Sequence, residues 1–310
     1  MTLRSLYLND NSPFLTKLSA SPSSAAPPSA PSPAGPRRSR GVTELRANAP
    51  SGVAWPGHAR SAARGHRMPL DEQPHVGSAD APSGAEHPVL DNPAWSSLNG
   101  AHRELAIGNE HVLRYPEDVS PFVGVRDWEH PDVWDAILDV FGHDAVVSVS
   151  HADPLLPAGW APEFQIPGVQ LVQTDRLAPR PEPEAVELGA ADADEMLALI
   201  AQTRPGPFEA RTHEMGRYIG IRRDGQLIAM AGERLHPDGW TEISAVAVHP
   251  EHRRQGLASR LVLDVAHHIQ RRGDRALLHA YAANTAAIAG YEKLGFELRR
   301  RLTFGALRTP

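Results

Sequence analysis

The stretch Glu251-His252-Arg253-Arg254-Gln255-Gly256-Leu257-Ala258 (residues 251–258) joins a strand to a helix. Before it, Thr241–Val248 is rich in β-branched and apolar residues and ends at Pro250, as a strand does. After it, Leu257, Leu261, Val265 and Ile269 recur at helical spacing, and Gly273 supplies a stop. Gly256 has no Cβ, so backbone can approach a ligand closely there. The first N–H groups of the helix have no intrahelical partner, and the helix dipole favours an anion at that end. Arg253 and Arg254 add positive charge. Together these features describe a cradle for a pyrophosphate. The stretch is neither a Walker A loop nor a three-glycine dinucleotide fingerprint. Taken alone, it is equally compatible with an ordinary glycine turn carrying solvated arginines.

Working outward, the flanking elements read as one α/β unit. Val186–Leu188 predicts a short strand, and Asp192 or Asp194 can cap a helix through Met196, Leu197, Leu199 and Ile200. Pro205-Gly206-Pro207-Phe208 breaks that helix, with room for a second short one after it. Tyr218–Ile221 and Leu227–Leu235 predict strands joined by the hairpin signal Asp224-Gly225. Pro237-Asp238-Gly239 is a further turn. Beyond the 257–273 helix come a strand at Ala276–Leu278, a helix at Thr285–Leu294 and a strand at Phe296–Leu302. The predicted order is β-α-α-β-β-β-α-β-α-β: a meander running into a β-α-β crossover, in a mixed sheet.

Upstream, residues 88–176 read as a smaller α+β half. Asn92-Pro93 starts a helix, Asp132–Phe141 forms another ending at Gly142, and Val169–Val172 is a strand after the proline-rich stretch Pro154–Pro167. Residues 177–183 serve as a linker, and 184–310 as the main domain. Residues 1–87 read as a disordered extension, since Ser21–Pro36 is almost entirely Ser, Ala and Pro. Its alternatives are a transit peptide, a tail for acidic partners, or an over-long start with Met68 as initiator.

Composition excludes several classes. With no Cys among 310 residues, there is no disulfide, thiolate metal site or Cys nucleophile. A net charge of −6 argues against general nucleic-acid binding. It averages a basic 1–67, with nine Lys/Arg against two acids, and an acidic remainder. No apolar run reaches the ~18–20 residues of a membrane span, and a cytoplasmic location is expected. No metal site is expected either: His267 and His268 are adjacent, hence about 100° apart on a helix. Oligomeric state is not legible.

Arg253-x-x-Gly256-x-Ala258 resembles the Q/R-x-x-G-x-G/A motif of the GNAT superfamily of acyl-CoA-dependent N-acyltransferases. Asn284-x-x-Ala287-Ile288-x-x-Tyr291-Glu292-Lys293-Leu294-Gly295-Phe296 is similar to its second signature, at the expected spacing. The resemblance covers about residues 184–305. More loosely, 88–176 is similar to the first half of tandem proteins of the glycine N-acyltransferase-like kind.

The resemblance implies an N-acetyltransferase that moves an acetyl group from acetyl-CoA, as co-substrate, directly to a small amine or a peptide amine. Longer-chain amino-acid N-acylation and a non-catalytic acyl-CoA-binding regulator are the alternatives. It places donor binding on Val246, Ala247, Val248, Arg253, Arg254, Gln255, Gly256, Leu257, Ala258, Ser259 and Asn284. Asn284 can equally cap its helix. Tyr291 takes the family's general-acid position, with packing against Phe296 as the alternative. Glu242 stands where some members carry a base; the alternatives are a salt bridge, or a base role taken by water ordered by Ser244. Arg211 can pair with an acceptor carboxylate or sit at the surface. Gly290 stands where the pattern more often has a bulky residue, at a helix cost of about 1 kcal/mol relative to Ala, which leaves room beside the acyl chain. The lack of Cys favours direct attack in a ternary complex.

Overall fold

The computed structural model describes residues 87–150 and 155–310, so the expectations for residues 1–86, the basic segment and Met68 included, lie outside the described residues. Helix α1 (Pro93–Asn99) starts as expected, with Asn92 Oδ1 accepting from Trp95 N at 3.4 Å. Strands β1 (Ile107–Gly108), β2 (Val112–Arg114) and β3 (Val123–Val125) form a small antiparallel sheet. Helix α2 (Val133–Phe141) ends at Gly142, whose φ of 77° suits a residue without a Cβ. Val133, Ala136 and Ile137 pack beneath it against Val112, Val125 and Val147.

Strands β4 (Val146–Ser150) and β5 (Ala161–Gln173) leave this region and enter the main sheet. The later elements are β6 (Val186–Leu188), α3 (Ala193–Thr203), β7 (Tyr218–Arg223), β8 (Gln226–Glu233), β9 (Trp240–Val248), α4 (Leu257–Arg271), β10 (Arg275–Tyr281), α5 (Thr285–Leu294) and β11 (Phe296–Arg308). The eight strands are ordered β4-β11-β5-β10-β9-β8-β7-β6. Only β9 and β10 are parallel, bridged by α4 as a crossover requires. This is the mixed sheet that the meander-then-crossover order predicts.

Three differences from the sequence reading have local physical reasons. Strand β5 begins at Ala161, inside the proline-rich stretch. Pro162 and Pro167 pair with β11 in a part of β5 that lies beyond its ladder to β10, where a missing N–H is tolerated. The second helix after α3 is a single 3₁₀ turn, Thr212–Met215, between the breakers at 205–207 and Gly216. Residues 177–183 are held along α4: Leu263 O accepts from Arg180 N, and Asp264 Oδ2 accepts from Glu182 N at 2.7 Å.

The main core lies between the sheet and α4. Leu257, Leu261, Val262, Val265 and Ile269 meet Ile219, Ile221, Ile228 and Ile243. Each such side chain contributes about 1.5–3 kcal/mol on burial, and together they fix the start of α4 against the end of β9.

Candidate active site

The site begins where two strands part. β9 and β10 pair from Trp240 opposite Arg275 to Ile243 opposite Leu278, and no further, although both continue. On its other side β9 carries a bulge. Met230 of β8 faces Ala247 and Gly232 faces Ser244, so Ala245 and Val246 stand against one residue, Ala231. Ala245 takes φ of 50°, a strained value for a residue with a Cβ. Bulge and splay together turn the end of β9 away from β10 and open the sheet.

A cavity of about 280 Å³ fills the opening. Ser244 and Val246 of β9, His279 and Tyr281 of β10, and Gly290 and Tyr291 of α5 line it. A cleft of about 490 Å³ continues from it, sharing Val246, Ala258, Ser259 and Asn284 as walls. The cleft runs over the N-terminus of α4. Gly256 caps that helix with φ of 76°, and a Cβ there would meet nothing within 4 Å. The glycine is therefore demanded by the backbone, and the space beside it stays open. Arg254 also has a positive φ, 63°, and Arg253 donates from Nε to the Val248 carbonyl at 3.4 Å. Free helix N–H groups, two arginines and an open glycine fit a pyrophosphate at this turn.

The sequence-predicted residues fall into three groups. Val246, Ala247, Val248, Arg253, Arg254, Gly256, Leu257, Ala258, Ser259 and Asn284 all line the cleft. Gln255 lies on the same turn but not in the lining. Asn284 caps α5 by accepting from Ala287 N at 3.3 Å and also lines both spaces, so its two readings coexist. Tyr291 lines the inner cavity and packs edge-on against Phe296, with ring centres 6.2 Å apart. Burial pushes its phenol pKa up to about 12, which keeps it a proton donor at neutral pH.

Glu242 is placed differently. It is fully buried, outside the cavity lining, and held from both sides. Arg234 donates from Nε at 2.9 Å and from Nη2 at 2.6 Å to its two oxygens. His279 Nδ1 lies 2.7 Å from Oε1. Burial pushes the carboxyl pKa up, but Arg234 and His279 outweigh it and hold the group well below the usual carboxylate range. Arg234 also sits over the Phe122 ring, 4.5 Å from its centre. Arg211 is engaged by Glu214 at 2.7 Å and Asp118 at 3.3 Å, and is absent from the lining of both spaces.

Arg234 and His279 line the inner cavity and were not singled out from the sequence. His279 shares a strand face with Tyr281, two residues on, and that alternation past Leu277 is the one local signal for it. Among the described residues, no three His, Asp or Glu side chains gather as a metal site, and no helix is long and apolar enough to cross a membrane.

Known proteins are similar to this chain. The FR47-like protein family model matches residues 218–304, from β7 into β11. The [ribosomal protein bS18]-alanine N-acetyltransferase of Escherichia coli K12 is 36% identical over 114 residues, covering 36% of this chain and 76% of the relative. Among mycothiol acetyltransferases, the Saccharomonospora viridis protein is 26% identical over 227 residues, 64% of this chain and 69% of the relative, and the Thermomonospora curvata protein is 39% identical over 75 residues, 24% of this chain. The chain spans only 25% of that relative's length and 36% of the length of its Mycolicibacterium gilvum counterpart. A solved GNAT-family structure from Novosphingobium aromaticivorans is 34% identical with a TM-score of 0.66, covering 73% of this chain and 100% of the other. Over full-length structure and over most of a curated relative the likeness holds, and the chain belongs to the GNAT superfamily of N-acetyltransferases.

Proposed function

We propose that the protein transfers an acetyl group from acetyl-CoA directly to an amine. The observation that carries this reading is the continuity of the two spaces: an anion-binding turn at Gly256 lies at one end, and the Tyr291 phenol at the other. Arg253, Arg254 and the first N–H groups of α4 would hold the pyrophosphate. Val246, Val248 and Asn284 would hold the arm that leads inward. Bound there, the donor supplies a thioester whose acyl carbon is open to attack by an amine.

The chain's own groups supply the proton transfers. The amine must lose a proton, because an amine of pKa ~10 is almost wholly protonated at neutral pH. We assign that step to solvent water beside Ser244, which lines the cavity. Glu242 fits a positioning role better than a base role, being buried behind His279 and held ionised by Arg234. Tyr291 gives its proton to the departing thiolate. Direct transfer needs no nucleophile from the protein, in keeping with the absence of Cys.

In this division of labour 184–310 carries the donor site. The segment 88–176 braces it, through β5 and through Gln170, whose Nε2 lies 3.1 Å from His279 Nε2. The acceptors named for the relatives, mycothiol and the alanine of a ribosomal protein, set the classes to screen: small amines and peptide N-termini. Incubation with acetyl-CoA and both panels, read by mass shift of the acceptor and CoA release, tests the assignment. Acetylated acceptor with matching CoA release is expected. Tight acetyl-CoA binding with no acceptor modified would instead favour a regulator.

A further inference from the structure

We infer that Gly290 sets the acyl range of the donor, and that the inner cavity takes straight aliphatic acyl groups longer than acetyl. The inference rests on the acyl-CoA reading above and adds the donor's chain length.

Gly290 lies within α5, and nothing in its backbone calls for glycine. Its φ is not among the positive values found at nine other glycines. Packing does not call for it either, because a Cβ at 290 would meet nothing within 4 Å. Contrast Gly232, where a Cβ would stand 2.3 Å from the Tyr218 ring. A helix interior favours almost any other residue over glycine. What the glycine removes is side-chain volume from the cavity.

Its position says where that volume lies. Ala287, Gly290, Tyr291 and Leu294 fall at i, i+3, i+4 and i+7, and all four line the inner cavity. The room left by Gly290 therefore adjoins the Tyr291 phenol, the group assigned to the thioester sulfur. Ala258 and Ala280 keep the facing walls low, and Ile243, Val262 and Leu294 make part of the lining apolar. A short alkyl chain has space and apolar neighbours there. Arg234, on the charged side of the cavity, is engaged by Glu242, and the chain tail would lie along the apolar side, away from Ser244 and His279.

The test compares affinities of CoA, acetyl-CoA, butyryl-CoA and hexanoyl-CoA by calorimetry, for the full chain and for Gly290→Leu and Gly290→Ala. For the native chain, butyryl-CoA and hexanoyl-CoA should bind at least as tightly as acetyl-CoA. Filling the space with Leu should shift the hexanoyl-to-acetyl affinity ratio about tenfold or more toward acetyl, the scale of excluding methylenes from an apolar pocket. Alanine, which fits a helix better than glycine, should give a smaller shift of the same sign and guards against a misfolded Leu variant. A native chain that binds acetyl-CoA but rejects the longer donors overturns the inference and leaves the acetyl reading standing. So does an unchanged ratio in Gly290→Leu. Failure to bind CoA and acetyl-CoA at all overturns the reading beneath it.

Discussion

His279 donates from Nδ1 to Glu242 Oε1 at 2.7 Å, and a third residue fixes that direction. Gln170 Oε1 accepts from Arg299 at 2.8 Å, so its Nε2 is the end that donates to the Leu90 carbonyl and faces His279 Nε2 at 3.1 Å. A donor on that side makes His279 Nε2 the acceptor and leaves the proton on Nδ1. A carboxylate paired with Arg234 and capped by the His279 Nδ1–H orients its neighbours.

Removing the charge of Glu242 should therefore cost stability before it costs chemistry. Glu242→Gln leaves the Arg234 guanidinium, itself mostly buried, without its counter-charge. Breaking one side of a buried pair costs about 3–5 kcal/mol. Denaturant unfolding of both proteins measures it, and a loss under about 1 kcal/mol would refute the pairing. The pH dependence has a definite sign. The folded pKa is lowered, so this stabilisation is present above the ordinary carboxylate pKa and is lost as pH falls below it.

A second pH effect occupies a different window. His236 is held down to about 3, chiefly by burial and then by the nearby charges of His102 and Arg272. Its Nε2 lies 3.6 Å from Glu233 Oε2, too far for a hydrogen bond, and His102 is lowered by burial as well. Below the unperturbed 6.5 the unfolded chain takes up these protons and the folded chain does not. Stability should be level above about pH 6.5 and fall as pH drops toward about 3, by up to about 1.4 kcal/mol per pH unit from His236, with His102 acting in the same direction. Melting temperatures from pH 8 to 4 follow it, and His236→Gln should make the slope shallower. Identical slopes would remove His236 from the account.

Loss of the Tyr291 hydroxyl is expected to act on turnover alone. Tyr291→Phe keeps the ring against Phe296, so packing persists. Removing a general acid lowers kcat by about 10²-fold or more. The affinity for acetyl-CoA should stay within about twofold. Since burial lifts the phenol to about 12, no loss of this acid is expected between pH 7 and 10. Unchanged kcat in the phenylalanine variant would return Tyr291 to a packing role.

The parts legible in the sequence are those set by neighbours along the chain. Asn284 and Gly295 bound α5, and the helix runs from Thr285 to Leu294 as their spacing predicts. Asp224 and Gly225, with φ of 51° and 81°, make the turn their residue types suggest between β7 and β8. The turn at Gly256 reads from the sequence for the same reason: strand, turn and helix N-terminus are contiguous. What escaped depends on residues far apart in sequence. Strand β5 enters between β10 and β11, a pairing of residues over 100 positions apart. The bulge at Ala245 has no glycine to announce it. Glu242 stayed open between a base and a salt-bridge partner, because Arg234, eight residues back, and His279, in the next strand, are joined to it only by folding. Gln170, which sets the tautomer of His279, comes from the other half of the chain.

The turn at Gly256 allows conformation and access to be separated. A side chain at φ of 76° carries left-handed strain of roughly 1–2 kcal/mol, which Ala and Leu, both unbranched at Cβ, share. Beyond the backbone the two differ. A Cβ at 256 meets nothing within 4 Å, so alanine leaves most of the cleft open, whereas the longer leucine projects further into it. Gly256→Ala should thus lower the melting temperature with a modest loss of CoA affinity. Gly256→Leu should come close to it in stability but weaken CoA binding at least about tenfold further, since a pyrophosphate must lie against that backbone. Calorimetry with CoA and thermal unfolding on both variants separate the two effects. If leucine and alanine weaken CoA equally, strain alone accounts for the loss, and the open space beside Gly256 is not where the anion sits.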